Sequence, residues 1–331
     1  MTIGNRGAAG VLGGRIEIQR EAALLSAAVG PCLFGTAFLA TAYLPSTPVW
    51  NAVYRVLPAG VLLIALRPAL PRGVWWMRSI LLGALNFGGF FALQALAAHR
   101  LPGAVVATIS AAQCLVVPVL LTVLGQRVGT RDFWVPPIGL AGVALLIFEG
   151  GAAFDTLGVG ASAGLALLSA TGMVLTRRWG APLGVHPLGA TAWQMISGGL
   201  LLLPIAALVD GAPPRLSIGQ LSATIWLSAG ATALAFALFF GGLYRGVPAT
   251  TASRLMLLGP LVATTLGWTI AHQSLRPAQL AGILLVLTAQ LIGLARPGEP
   301  APSPGNKAAA VRRWMAPTRV AVAGEWKTRT Q

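Results

Sequence analysis

The sequence predicts an all-α polytopic membrane protein, with ten transmembrane helices arranged as two inverted five-helix repeats. Three observations carry this: a composition that water does not solvate, ten apolar segments of bilayer-spanning length, and a duplication whose unit holds an odd number of those segments. Of 331 residues, 56% are hydrophobic and only 9% charged, with a mean hydropathy of +0.76, against about 25% charged residues in a soluble domain.

The hydrocarbon core of a bilayer takes about 20 helical residues to cross. Apolar segments of about that length run over 22–43, 48–66, 79–98, 103–125, 134–149, 157–176, 187–209, 219–243, 248–270 and 278–295, bounded by Pro, Gly, Arg or short polar clusters. The fifth is short and opens with Pro136 and Pro137. In lipid every backbone group must be satisfied internally, and continuous apolar runs, rather than ten-residue alternation, select helices over a barrel. The first segment ends in "FLATAYLP", whose Ala40-Thr41-Ala42 imitates a signal-peptidase site. Its apolar core is longer than a usual signal h-region, which favours an uncleaved helix.

The net charge of +15 does not indicate nucleic acid, because a DNA binder gathers its Lys and Arg on one water-facing surface and here they are scattered between apolar runs. Their distribution orients the chain instead, since cytoplasmic loops retain Lys and Arg. With the N-terminal segment 1–21 inside, the inner side holds Arg6, Arg15, Arg20, Arg67, Arg72, Arg78, Arg127, Arg131, Arg177, Arg178 and Arg245, and the outer loops only Arg100, Arg215 and Arg276. The tail 296–331 adds seven basic residues to the inside. Both termini are thus expected in the cytoplasm, and the chain as a multi-pass protein of the plasma or inner membrane. The tail, rich in Pro and Ala without apolar periodicity, reads as disordered, with anionic lipid headgroups as its natural surface.

Cys32 and Cys114 both lie within apolar runs, so neither a disulfide framework nor a zinc site is supported. "GVGASAG" at 158–164 imitates a nucleotide-binding glycine loop, but no strand precedes it and a membrane helix follows. No cofactor and no metal are expected.

The halves align. "RVLPAGVLLI" at 55–64 matches "QMISGGLLLLP" at 194–204, with Ala59-Gly60 over Gly198-Gly199. "HRLPGAVVATISAAQCLVVPVLLTVLGQRV" at 99–128 matches "YRGVPATTASRLMLLGPLVATTLGWTIAHQSL" at 244–275, within a residue of a 147 offset. Five helices per unit force the second copy to enter from the opposite side, so the repeats, 22–150 and 151–295, are inverted about an axis in the membrane plane. Such an axis gives two near-equivalent arrangements with access to opposite faces, and places a substrate site between the halves.

This plan, with "AWQMISGGLLLLP" in the seventh segment and "YRGVPATTASRLMLLGPL" leading into the ninth, resembles the EamA type of the drug/metabolite transporter superfamily. "RVLPAGVLLIALRPALPRGVWW" and "GALNFGGFFALQALAAHRLPGAVVAT" are similar to its bacterial metabolite and pigment exporter branch. The resemblance implies export of a small molecule (an amino acid or related compound, a pigment or a drug) by alternating access. Family members often carry Glu before the fifth and tenth helices, where this chain has Gln126 and Gln273; Gln113 stands where Pro is usual in the fourth, while Pro260 keeps the second copy.

The acidic residues Glu17, Glu21, Asp132, Glu149, Asp155, Asp210, Glu299 and Glu325 fall at helix ends, in loops or in the tails, and His99, His186 and His272 near interfaces. No proton-relay group stands at mid-membrane, where pumps keep theirs, which favours facilitated export or exchange. Arg55 and Arg254 are the two charged groups inside the hydrocarbon, each about 9 Å deep at 1.5 Å per residue, from opposite faces. Two readings stay open for each: a guanidinium that snorkels or ties loop carbonyls, or one that lines the path and pairs with a substrate carboxylate or phosphate. Asn51 and Tyr54, Asn86 and Gln94, Gln113, and Trp193 and Gln194 are the accompanying polar-path candidates; buried amides either line cavities or join helices, and Trp193 either stacks a flat substrate or joins an interfacial belt. Two other functions stay open: a membrane scaffold or sensor acting through the basic tail, and an intramembrane enzyme. The enzyme would need a nucleophile and base at depth, and deleting residues 300–331 separates scaffold from transporter. Substrate identity and oligomeric state are not encoded in any motif here.

Overall fold

The computed structural model describes residues 4–41, 43–101, 103–147, 155–270 and 276–294. The tail 296–331, Glu149, His272 and Gln273 lie outside the described residues. The described residues form ten helical rods: α1 (Gly4–Thr41), α2 (Pro48–Leu66), α3 (Trp75–Ala98), α4 (Gly103–Ala111 and Gln113–Val123), α5 (Arg131–Ile147), α6 (Thr156–Trp179), α7 (Pro187–Val209), α8 (Ile218–Tyr244), α9 (Ala249–Leu255 and Leu258–Thr269) and α10 (Pro277–Leu294). Six of them, α2, α3, α4, α6, α7 and α8, are long and apolar enough on their own to cross a bilayer.

The rods end where local chemistry stops them. Pro48 and Pro187 occupy the first turns of α2 and α7, where a missing N–H costs nothing. Asp155 caps α6 by accepting from the Leu157 and Gly158 amides at 2.8 and 3.3 Å, and Gly180, at φ +65°, ends it in a conformation that glycine adopts without steric cost. Ser217 and Gln220 form a reciprocal capping box at the start of α8. Two expectations shift: α1 continues back to Gly4, through most of the segment 1–21 read as preceding it, and α3 starts at Trp75 rather than 79. At this start Arg78 lies between the rings of Trp75 and Trp179, 5.3 and 5.0 Å from the two centroids.

The interruptions come in matched pairs. α3 carries a π-helical turn at Ala84–Gly88 and α8 one at Trp226–Leu234; α4 breaks at Ala112 and α9 at Met256–Leu257. Pro260 lacks the N–H that would bond the Met256 carbonyl, which places the second break.

Helix pairing obeys the same symmetry. α1 packs on α8 and α9, and its counterpart α6 packs on α3 and α4, while α2 pairs with α7 and α5 with α10. At the α2–α7 crossing a methyl group on Gly60 would stand 2.8 Å from Ile196 Cγ1, and one on Gly199 would stand 3.0 Å from Leu57 Cβ. Gly60 and Gly199, and Leu57 and Ile196, are equivalent residues of the two copies, so the contact is reciprocal, as an axis passing between the helices demands. At the α5–α10 pair a methyl on Gly142 would lie 2.9 Å from the Gly282 carbonyl. These glycines end identical Leu-Ala-Gly tripeptides at 140–142 and 280–282, a repeat signal that the alignment of the other segments missed. Lipid offers no hydrophobic drive to helix association, so close backbone approach at such small residues supplies the contact. An aromatic core fills the α1–α3–α8 junction, with Phe236 at 4.5 Å from Phe34 and 4.7 Å from Phe87 between centroids.

Candidate functional site

Two polar nodes lie between the repeats, one towards each face. Towards the arginine-rich face, the Asn86 amide nitrogen, on the π turn of α3, donates to Thr176 Oγ1 at 3.1 Å and to Gln194 Oε1 at 2.8 Å. Gln194 Nε2 in turn donates to the Tyr244 hydroxyl at 2.8 Å. The node thus joins α3, α6, α7 and α8 in one buried, uncharged chain of hydrogen bonds. Gly172 of α6 makes room for it, since any side chain there would meet the Asn86 amide.

Towards the opposite face, Arg55 Nε donates to Thr232 Oγ1 at 2.6 Å and its Nη2 to the Ala231 carbonyl at 3.3 Å, both on the π turn of α8. Thr232 completes its valence by donating to the Leu227 carbonyl at 2.7 Å, five residues back, so the π turn itself holds the acceptor in place. The guanidinium lies 5.1 Å from the Phe91 ring centre on α3, within the range of a cation–π contact. Arg55 is half-buried, and its Nη1 has no hydrogen-bond partner among the described residues. The guanidinium therefore turns inward to the other repeat and keeps a donor edge free. Sequence left that orientation open.

A third pair marks the break in α4: Gln113 Oε1 accepts from the Ser169 hydroxyl of α6. Arg254, the second deep guanidinium, departs from expectation. Among residues near in sequence it has no carboxylate, but the fold brings Asp132, at the start of α5, to 2.5 Å from its Nη1, with both side chains largely buried.

The other predicted residues divide. Asn51 Nδ2 donates to the Pro45 carbonyl at 2.7 Å; with Pro45, Ser46, Pro48, Ala98 and His99 it lines a cavity of about 270 Å³ at the outer ends of α2 and α3. Tyr54 reaches the Pro214 carbonyl at 3.4 Å and stacks beside Trp50. Gln94 is exposed and joins neither node. Trp193 is occupied structurally: its Nε1 donates to the Ala69 carbonyl at 2.8 Å, and its buried ring packs against Trp75 and Leu82. Sequence missed Thr176, Thr232, Tyr244 and Asp132. Asn86 and Thr232 stand on the matched π turns of α3 and α8, a correspondence visible only in the structure.

Asp210 shows how tightly the outer ends of the central pair are held. Lying just past α7, it accepts from the Val49 and Trp50 amides at 2.7 and 3.0 Å, capping the first turn of α2 from the other repeat.

Residues 156–293 match the EamA-like transporter family. The chain is 38% identical over 265 residues to Protein PecM of Dickeya dadantii (strain 3937), which covers 79% of this chain and 89% of that protein. The chain belongs to the EamA-like transporter family. This EamA-like chain is also 31% identical over 286 residues to a chloroplastic WAT1-related protein of Arabidopsis thaliana, across 79% of this chain and 67% of that one. A solved crystal structure shares the fold with a TM-score of 0.70 and 18% identity, covering 82% of this chain and 97% of the other. The family places the chain among multi-pass membrane transporters, whose substrates are small molecules and whose solvent is the lipid bilayer.

Proposed function

We propose that the protein is a secondary transporter that exports small metabolites, carboxylate-bearing compounds among them, by alternating access between its two repeats, with both termini in the cytoplasm. One observation carries this reading: the interrupted helices α4 and α9 pack on each other on the arginine-rich side of their breaks and have no comparable contact on the other side among the described residues. Every residue of Ala249–Leu255 is buried, and this segment packs with Gln113–Val123, whereas Leu258–Thr269, beyond the break, packs on α1 instead. Interrupted helices in matching positions of inverted repeats are the usual place of a substrate site, and a contact between them on one side of their breaks only is one half of an alternating cycle.

Arg55 is a guanidinium that reaches inward on the other side. Its free donor edge suits a carboxylate, which makes it the candidate anchor of an anionic or zwitterionic substrate. The Asn86–Gln194 node, neutral and hydrogen-bonded, belongs to the closed side. The buried carboxylate near the breaks, Asp132, is already paired with Arg254, which favours export down the substrate gradient or by exchange over proton cycling.

Efflux from proteoliposomes loaded with a panel of amino acids, pigment precursors and cationic drugs, with and without a pH gradient, tests this. Efflux of a carboxylate-bearing compound that needs no pH gradient is expected. A panel in which nothing moves, from a monodisperse preparation, overturns the reading.

A further inference from the structure

Arg254 sits deep in the sealed end. It is 5% exposed; its Nη1 donates to Asp132 Oδ1 at 2.5 Å and its Nη2 reaches Thr251 Oγ1 and the Gly293 carbonyl, each at 3.4 Å. Gln290 Nε2 donates to the Arg254 carbonyl at 2.7 Å. A methyl group on Gly293 would stand 3.0 Å from Arg254 Nε, so the guanidinium lies on a bare stretch of α10. The pair therefore ties α9 of the second repeat to α5 of the first.

Repeat symmetry says when such a tie can exist. In an inverted-repeat transporter the opposite-facing state follows from exchanging the conformations of the halves. Here α9 packs along α5 of the other repeat, whereas its counterpart α4 has no comparable packing on α10 among the described residues. The exchange makes the α4–α10 contact and opens the α9–α5 contact. Asp132 is on α5 and Arg254 on α9, so the pair cannot survive it.

We propose that Asp132–Arg254 is a gate contact of the transport cycle, made while the arginine-rich face is sealed and broken when that face opens. The inference rests on the transporter reading of the chain. A buried charge that loses its partner is strongly destabilising, so the pair parts only as water reaches the opening end and solvates both groups. The opposite face has no copy of it: the residue aligned with Arg254 at the 147 offset is Ala107. One face thus carries an ionic gate and the other does not, which biases the resting protein towards the arrangement seen here.

Cys114 is a native reporter. It lies just past the break in α4, fully buried in one cluster with Val143 of α5, Leu257 at the break in α9 and Val286 of α10, so separating α9 from α5 uncovers it. In the full chain with Cys32→Ser, reconstituted in vesicles without substrate, a membrane-impermeant maleimide is applied to each face. With Asp132→Asn, labelling of Cys114 from the arginine-rich face is expected to rise about tenfold, as a shifted two-state population would give, with no rise from the other face. If Asp132→Asn is not monodisperse, Gln290→Ala, which keeps both charges, is expected to give a smaller rise of the same sidedness. Unchanged labelling in the monodisperse variant overturns the gate, and so does faster labelling from both faces with a lower Tm, the mark of a purely structural tie. A wild-type chain that moves no substrate yet shows this one-sided labelling refutes transport and leaves the two-state contact standing.

Discussion

Arg55 and Gln194 hold the same position in the two repeats, 139 residues apart, and each pairs with a side chain on the π turn of the opposite repeat: Thr232 at 2.6 Å for Arg55, Asn86 at 2.8 Å for Gln194. Each stands seven residues into its helix from Pro48 or Pro187, so they lie at equal depths from opposite faces. The geometry is duplicated and the chemistry is not. A charge faces one side and an amide faces the other.

Replacing Arg55 by Gln should slow efflux of a carboxylate-bearing substrate by about tenfold or more, the loss of roughly 1.4 kcal/mol of a charge-assisted hydrogen bond. Arg55→Lys should not restore the rate, because the Nε–Thr232 and Nη2–Ala231 bonds use the guanidinium fork that an ammonium lacks. Initial rates in proteoliposomes decide it, and unchanged rates in Arg55→Gln would reduce the residue to an anchor.

Asn86→Leu should lower thermal stability in detergent by about 1–3 kcal/mol, since it leaves Thr176 and Gln194 short of a buried partner. The double variant Asn86→Leu/Gln194→Leu should cost less than the sum of the singles, because both ends of one bond are removed together. Melting curves of the four proteins give the coupling directly; strict additivity would show that the two amides act independently.

Gly198→Val should cost about 1–3 kcal/mol by overpacking, because a side chain there meets the Gly83 carbonyl at 2.6 Å and the Gly88 amide at 3.0 Å on α3. Gly160→Ala, with nothing within 4 Å, is the matched control and should be neutral or slightly stabilising. Equal Tm values for the two variants would contradict the close α3–α7 approach.

Asp155, outside the membrane-spanning segments, has its carboxyl held below the usual carboxylate range, first by the Arg100 guanidinium that donates to it at 3.2 Å and then by the Gly158 and Leu157 amides. A carboxylate with a depressed folded-state pKa stabilises the fold above its ordinary value of about 3.9 and loses that contribution as pH falls through the folded value. Fraying of the first turn of α6, read as loss of amide-exchange protection at Leu157 and Gly158, should therefore begin below about pH 4 and should start at higher pH in Arg100→Gln. An onset that Arg100→Gln does not move would remove Arg100 as the cause.

Much of the fold was legible in single residues because lipid makes the code strict. Pro48, Pro187 and the runs after them set α2 and α7 to the residue, since a bilayer-spanning helix can begin only where its first N–H groups are dispensed with or capped. The odd count of segments implied inversion without any contact being known. Depth was legible too: Arg55 and Arg254 stood out because charge is rare there.

What each guanidinium does with that depth was decided by tertiary structure alone. Sequence separates Arg254 from Asp132 and Arg55 from Thr232 by more than a hundred residues, and hydropathy carries no term for a partner on another helix. The inverted axis brings each pair together across the repeats, and the π turns and helix breaks set which donor stays free. The sequence by itself therefore determined the number and order of the helices and pointed to their inversion, through the cost of unsatisfied backbone in lipid. Only the packed structure distinguished the arginine with an open edge from the arginine already matched by a carboxylate.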